Sequence, residues 1–401
     1  MTFDFDKILH SDNSDHKGES RFDSKFLEKV YGGDVLSFWM AETDFPCPPG
    51  INEALNKMAG KASYLYQFKT DELRQSICNW FQNRHQLKLD PAYLLFTGSV
   101  MNGIAAAIEE FSANESGVII QPPVYQEFKS TIVGVNRKVI KNSLLEQSGK
   151  YTIDFTDLEE KASDPTNSIL LICSPHNPVG RVWTREELSK IIDICKNTQT
   201  LLLSDEIHSD IILSNNSFTG VMSMGENAIS NSIMIGSPGK TFGIPGISDA
   251  FLYIPDETMR LKMNERIHRY HLLKSNAFTN VATIAGYTHD GPWLDAFLKY
   301  IESNVEYIHG FLKDHIPQIT CSIPEGTYQV WLDFRKLGLD VHALRALLSQ
   351  KAGIGLNAGY GYGREGAGFA RMNIATQRIV LTEGLERLKK ALDNFQYENP
   401  S

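Results

Sequence analysis

The chain predicts an α/β fold: a mainly parallel sheet with helices on both faces, followed by a smaller α+β domain. Three observations carry this. Short apolar runs recur at Gly117–Val124, Ser168–Cys173, Thr200–Ile207, Ser232–Gly236 and Ser248–Ile254, rich in Ile, Leu and Val as strands buried on both faces are. Helical patterns lie between them, and strand–helix alternation implies parallel pairing. The 401 residues, 42% hydrophobic, exceed what one core holds, so about two or three domains are expected.

In order along the chain, Asp71–Gln86 places Leu73, Ile77, Trp80 and Phe81 at helical spacing. Thr184–Lys196 opens with a capping box, Thr184 with Glu187 three residues on. The pattern changes after about residue 285. A helix is expected over Leu294–His315, with Pro317 beyond its end, then a strand at Thr327–Phe334, a helix at Val341–Gln350 and a Gly-rich turn at Asn357–Gly368. A strand at Ala370–Ile374 and a helix at Val380–Phe395 follow. The expected units are an N-terminal segment, 1–48, packing on the small domain, a large domain, 49–285, and the small domain, 286–401.

Charge and composition exclude several classes. With 39 Lys and Arg against 48 Asp and Glu the net charge is −9, whereas neutralising phosphates needs a basic surplus. No nucleic acid is therefore expected as a partner. No apolar run approaches the ~20 residues that span a bilayer. Met1–His10 has no basic stretch leading into an apolar one, so no signal peptide is read there. The five cysteines, Cys47, Cys78, Cys173, Cys195 and Cys321, never fall in a Cys-x-x-Cys pair, which argues against a zinc spacing or a disulfide framework. A soluble cytoplasmic enzyme is the expectation.

Chemistry concentrates at three strand ends. Ser237-Pro238-Gly239-Lys240 follows the run Ser232–Gly236. A lysine at the C-terminal edge of a parallel strand sits where open α/β sheets bind ligands. Desolvated there, its amine can form a Schiff base with an aldehyde, although a lone lysine in such a loop is often merely solvated. Thr200–Ser204 leads into Asp205-Glu206-Ile207-His208, where Asp205 can pair with a cationic ring nitrogen or simply cap a helix. Ser168–Cys173 leads into Ser174-Pro175-His176-Asn177-Pro178, where Asn177 can donate to a phenolate oxygen or merely mark a turn. Three successive strands thus deliver Asn, Asp and Lys to one sheet edge, and the conjunction is far more specific than any member. Two weaker signals fit an anionic aromatic ligand. Thr97–Gly103 opens a helical run at Ile104, and free N–H groups at a helix start bind phosphate. Tyr125, after Pro122-Pro123-Val124, can stack on a ring.

Asn177-Pro178-x-Gly180, Asp205-Glu206-x-His208 and Ser237-x-x-Lys240 together resemble the fold-type I pyridoxal 5′-phosphate enzymes, the aspartate aminotransferase superfamily. Within it the chain is most similar to the cystathionine β-lyase branch of the maltose-regulator and PatB type. The stretches that carry this are Phe38–Pro46, Gln121–Tyr125, Asp205–Asp210, Lys240–Gly246 and Gly368–Ala375, and the similarity spans roughly residues 30 to 395. The resemblance implies pyridoxal 5′-phosphate as cofactor, with Lys240 in Schiff-base linkage to it and Asp205 keeping its pyridine nitrogen protonated. It implies that Asn177 donates to the ring hydroxyl and Tyr125 stacks on the ring. Ser237 and the backbone at Val100 and Met101 would bind the phosphate, with Tyr66 reaching the phosphate of the other subunit of a homodimer. Arg371 would grip the substrate α-carboxylate. His208 lies at the cofactor, where many aminotransferases carry a tyrosine, which favours the lyase branch.

Four departures from the branch pattern fall near the substrate side: Glu42-Thr43 for Asp-Met, Tyr64-Leu65-Tyr66 for Tyr-Gly-Tyr, Gly239 for Ser and Gly243 for Asn. The implied activity is a carbon–sulfur β-lyase that converts a cysteine thioether, a small amino-acid substrate, to pyruvate, ammonia and a thiol. An aminotransferase shares every step up to the carbanion and stays open as the alternative. Regulation through protein contacts is a third reading; no helix-turn-helix extension or basic patch accompanies it.

Overall fold

The computed structural model describes residues 3–7, 19–213, 216–273 and 276–398. Its centre is a seven-stranded sheet, β1 (Leu94–Thr97), β2 (Gly117–Ile120), β3 (Lys138–Lys141), β4 (Asn167–Cys173), β5 (Leu201–Asp205), β6 (Ser232–Gly236) and β7 (Ala250–Tyr253). The spatial order is β1-β7-β6-β5-β4-β2-β3. All neighbours pair in parallel except β7, which runs against both β1 and β6.

Successive residues of each strand feed different cores, as a pleated sheet covered on both faces requires. In β4, Leu170 and Ile172 join one apolar cluster while Ile169, Leu171 and Cys173 join the other. The first face is covered by the helices Asp71–His85, Arg185–Thr198 and Ala277–His289, through Ile77, Ile191 and Ala282. The second is covered by Val100–Phe111, Gln126–Gly134 and Glu257–Arg269, through Ile104, Phe128 and Met263. The capping box forms as expected: Thr184 Oγ1 accepts from Glu187 N at 3.2 Å and Glu187 Oε2 accepts from Thr184 N at 2.9 Å.

C-terminal to the helix Gly291–His315, a four-stranded antiparallel sheet assembles from Thr320–Cys321, Gln329–Asp333, Phe369–Asn373 and Asn357–Ala358. The helix Arg378–Glu398 closes the chain. The pair Leu36–Ser37 runs parallel to Ile354–Gly355. Among the described residues no helix is long and apolar enough to cross a membrane.

Some boundaries differ from expectation, each for a local reason. The run from Gly117 leaves the sheet at Ile120, because Pro122 and Pro123 have no N–H for a ladder. The run from Thr200 ends at Asp205, where the chain turns. The helix at Val341 is α-helical only to Arg345 and continues as a π turn over Ala346–Lys351. The helix expected from Ile104 starts at Val100 on the cap Ser99.

Candidate active site

Strand register brings the chemistry-bearing residues together. Cys173 lies opposite Asp205, and Asp205 opposite Ile235, so the Asn177 loop, Asp205 and the Ser237–Lys240 turn leave the sheet at one edge. Thr97 pairs with Ala250, and Gly236 with Phe251. The helix start after β1 therefore reaches the same edge, one strand away from Ser237.

Lys240 sits in a one-turn helix, Pro238–Thr241, capped by Ser237, whose Oγ accepts from Gly239 N at 3.2 Å and donates to Asp249 O at 2.8 Å. The Lys240 Nζ donates to Ala41 O at 2.6 Å. Burial pulls its pKa down to about 8, against the attraction of Glu42 and Asp205 and with the repulsion of Arg371.

Asp205 is buried, and its Oδ1 accepts one backbone bond, from Ile207 N at 3.1 Å. No helix follows it, so it caps none. Burial pushes its carboxyl up to about 7, against the lowering effect of the Ile207 N–H and Lys240. A buried carboxylate with so few donors fits a cationic N–H group placed against it. His208 is buried with Nδ1 unpartnered, its ring edge-on to Tyr328 at 5.9 Å. Burial, then Lys240 and Arg371, lower its pKa to about 3, so the ring is neutral.

Arg371, in the middle of the strand Phe369–Asn373, is buried. Its Nη1 donates to Asn177 Oδ1 at 3.1 Å and its Nη2 to Trp39 O at 2.6 Å, while Nε has no partner. With its Oδ1 turned to Arg371, Asn177 keeps its Nδ2 hydrogens for another acceptor. Tyr125 precedes the helix Gln126–Gly134, edge-on to Phe128 at 5.8 Å. Burial first, then Glu127, raise its pKa to about 12; Arg371 opposes that and Asp205 adds to it, so the ring feels the same cleft. Val100 and Met101 open the helix capped by Ser99, where first-turn N–H groups have no carbonyl behind them. Tyr66 is not drawn into this cluster. It is 89% exposed, beside the exposed Leu65 and Phe68.

The unpartnered Nε of Arg371, the unpartnered Nδ1 of His208 and the donor-poor Asp205 surround the Lys240 amine. Together they fit a planar, anionic, aldehyde-bearing heterocycle and an amino-acid carboxylate. Residues 35–388 match the family model for aminotransferase class I and II, and the chain belongs to that family. It is 36% identical over 359 residues to the cystathionine beta-lyase PatB of Bacillus subtilis, across 90% of this chain and 93% of that one. It is 31% identical to protein MalY of Escherichia coli, covering 97% and 99% of the two chains. Among solved structures it is similar to cystalysin from Treponema denticola, which contains pyridoxal 5′-phosphate: TM-score 0.93, 34% identity, covering 98% of this chain and all of that one.

Three participants escaped the sequence reading of roles: Glu42, Tyr328 and Asp210. Glu42 and Tyr328 meet Lys240 through the Ala41 carbonyl or its charge. Asp210 accepts from Thr241 Oγ1, next to Lys240, at 2.7 Å. The only signal was their place inside the quoted stretches Phe38–Pro46 and Asp205–Asp210 and the strand-like run Thr327–Phe334.

Proposed function

We propose that this chain is a pyridoxal 5′-phosphate-dependent carbon–sulfur β-lyase that cleaves a cysteine thioether to pyruvate, ammonia and a thiol. The observation that carries the reading is the common sheet edge where Lys240, Asp205 and Asn177 emerge from successive strands, with Arg371 bonded to Asn177. Likeness to the PatB lyase and to cystalysin supports the lyase outcome over amino transfer.

The bound cofactor supplies an electron sink for the pair left when the substrate α-proton is removed. Lys240 would hold the cofactor through its side-chain amine. Asp205, ionised once a cation stands against it, would hold a proton on the ring nitrogen. Asn177 would offer its Nδ2 hydrogens to the ring oxygen, Tyr125 would stack on the ring, and His208, a neutral imidazole, would lie beside it. Ser237 and the N–H groups of Val100 and Met101 would receive the phosphate, and in a homodimer Tyr66 of the partner subunit would join them. Arg371 offers its guanidinium to the substrate carboxylate and so orients the Cα–H bond. Lys240, once free, is the base that takes the α-proton and the acid that returns one to the departing sulfur. Small amino acids are the substrates, and the cytoplasm is the proposed location.

The test supplies S-substituted cysteines without any keto acid and follows thiol, pyruvate and ammonia. Release of all three is expected. No thiol from any thioether, with sustained amino transfer to a keto acid, would replace the lyase by an aminotransferase.

A further inference from the structure

The connection between the helices Pro49–Gly60 and Asp71–His85 carries no strand or helix, and residues 61–68 are all exposed. Burial along its end is inverted. Tyr64, Leu65, Tyr66 and Phe68 are exposed, while the Lys69 side chain is only 9% exposed. Lysine is almost never buried unless it is paired, and a run of apolar side chains left outside marks a surface that meets another molecule.

Lys69 is paired. Its Nζ forms an ion pair with Asp249, donates to Asn280 Oδ1 at 2.9 Å and lies 5.2 Å from the centre of the Phe96 ring. Both polar partners are fastened in turn. Asn280 Nδ2 donates to Phe68 O at 2.8 Å, so one amide holds the lysine and the peptide before it. Asp249 stands immediately before β7, and its backbone carbonyl accepts from Ser237 Oγ at 2.8 Å. Asp249 thus joins Lys69, through its carboxylate, to the cap of the turn that carries Lys240, through its carbonyl. The other end of the run is fixed as well. The Tyr64 hydroxyl donates to Ala59 O at 2.9 Å, and its ring lies 5.5 Å from that of Phe278. Leu65, Tyr66 and Gln67 lie between these two fastenings.

A buried ion pair is often no more stable than an apolar pair of its size, so stability gives little reason for a lysine here. Geometry gives one: the three N–H groups of an ammonium can reach an acid, an amide and a ring from different directions. A segment already fixed in its bound conformation loses less entropy when it binds.

We propose that Lys69 is a positioning residue, its ammonium clamping the segment 64–69 onto Asp249 and Asn280 so that Tyr66 is held outward for the phosphate site of a second copy of this chain. The assignment rests on the proposed function for the role of Tyr66 and adds what sets that tyrosine in place. Because the clamp is built on the residue that receives Ser237, each segment runs from beside its own site towards the site of the partner.

The experiment follows hydrogen exchange over residues 64–69 in the full-length, cofactor-free protein, and then titrates the same protein with pyridoxal 5′-phosphate by absorbance. Lys69→Met should speed exchange about tenfold, and Lys69→Arg should restore most of the protection. Lys69→Met/Asp249→Asn removes both buried charges and should match Lys69→Met, even where an unpaired Asp249 unfolds the single variant. Pyridoxal 5′-phosphate should bind about tenfold more weakly to Lys69→Met than to the wild type, and Tyr66→Ala should weaken it as well. Added to Tyr66→Ala, Lys69→Met should bring no further loss, because the tyrosine it positions is gone. Unmoved exchange in Lys69→Met and in the double variant overturns the proposal, as does a full further loss of affinity on the Tyr66→Ala background. Faster exchange with unchanged affinity in Lys69→Met, where Tyr66→Ala does weaken binding, leaves a merely structural tie and overturns it too. The reading of Tyr66 is judged by its own variant: if Tyr66→Ala binds the cofactor like the wild type, that reading falls first and the clamp's role falls with it.

Discussion

Thr241 Oγ1 donates to Asp210 Oδ2 at 2.7 Å, tying the turn that carries Lys240 to a fully buried carboxylate. The same carboxylate accepts from Trp80 Nε1 at 2.9 Å and sits 2.7 Å from His85 Nε2, both on the helix Asp71–His85. Hydrogen bonds and the charges of His85 and Arg84 outweigh burial and hold its pKa below the usual range. Asp210→Asn removes the charge and turns an acceptor into a donor against three donors. It should cost about 3 kcal/mol, read as a lower urea midpoint at pH 7. Thr241→Ser keeps the hydroxyl and should stay within about 1 kcal/mol.

Asp205 makes the stability of the cofactor-free chain depend on pH. Its folded pKa of about 7 lies above the ~3.9 of an unfolded Asp. The folded cofactor-free chain therefore holds a proton that the unfolded chain gives up, and stability falls as pH rises between those two values. Glu206 beside it, raised by burial to about 8, acts in the same direction. Asp205→Asn should match the wild type near pH 4 and exceed it at pH 8. The gap should grow by roughly 1.4 kcal/mol per pH unit at most. Urea midpoints of the cofactor-free proteins across pH 4–8 check this, and the same variant should lose activity by about 100-fold or more.

The parts legible in the sequence were those written in periodicity. Asn177, Asp205 and Lys240 each follow a run of apolar residues that becomes a strand, so their common edge follows from the βα alternation. The strand Lys138–Lys141 was not legible, because lysines at both ends of an edge strand break the apolar run. Contacts between distant segments were equally hidden. Arg371 meets Asn177 across 194 positions, and Lys240 meets Ala41 across 199; neither spacing carries a local signal. The departures at Thr43 and Gly243 lie against each other in the structure. Gly243 has φ +67°, and a Cβ there would collide with Thr43 Oγ1, so a side chain at 243 requires Thr43 to move.

Arg371 yields a prediction that separates fork from charge. Its Nη1 and Nη2 are committed to Asn177 and Trp39 O, so the guanidinium plane is fixed before substrate arrives. Lysine keeps the charge but cannot hold both partners and a carboxylate. Arg371→Lys should lower kcat/KM by roughly 30-fold, the low end for losing a buried hydrogen-bonded charge contact, with KM rising. A change under threefold in steady-state kinetics would mean that another group grips the carboxylate.

Lys240 and Tyr66 allow the proposed homodimer to be tested without a structure of the pair. Tyr64, Leu65, Tyr66 and Phe68 are 55%, 73%, 89% and 90% exposed, an apolar run that a single subunit leaves uncovered. It leads into Thr70, the cap of the helix that holds Trp80 and His85 against Asp210. If Tyr66 serves the site of the partner subunit, a Tyr66→Ala site fails for want of its neighbour's phenol. A Lys240→Ala site fails for want of its own amine, and borohydride should no longer fix cofactor at residue 240. In a mixed dimer one site combines a wild-type Lys240 with a wild-type Tyr66, and the other lacks both. Random pairing of equal amounts makes half of the dimers mixed, each with one whole site in two, so about one quarter of wild-type activity should return. Unmixed variants should stay near zero. No recovery after verified subunit exchange, or full activity in a protein that sediments as a monomer, would show that each chain completes its own site.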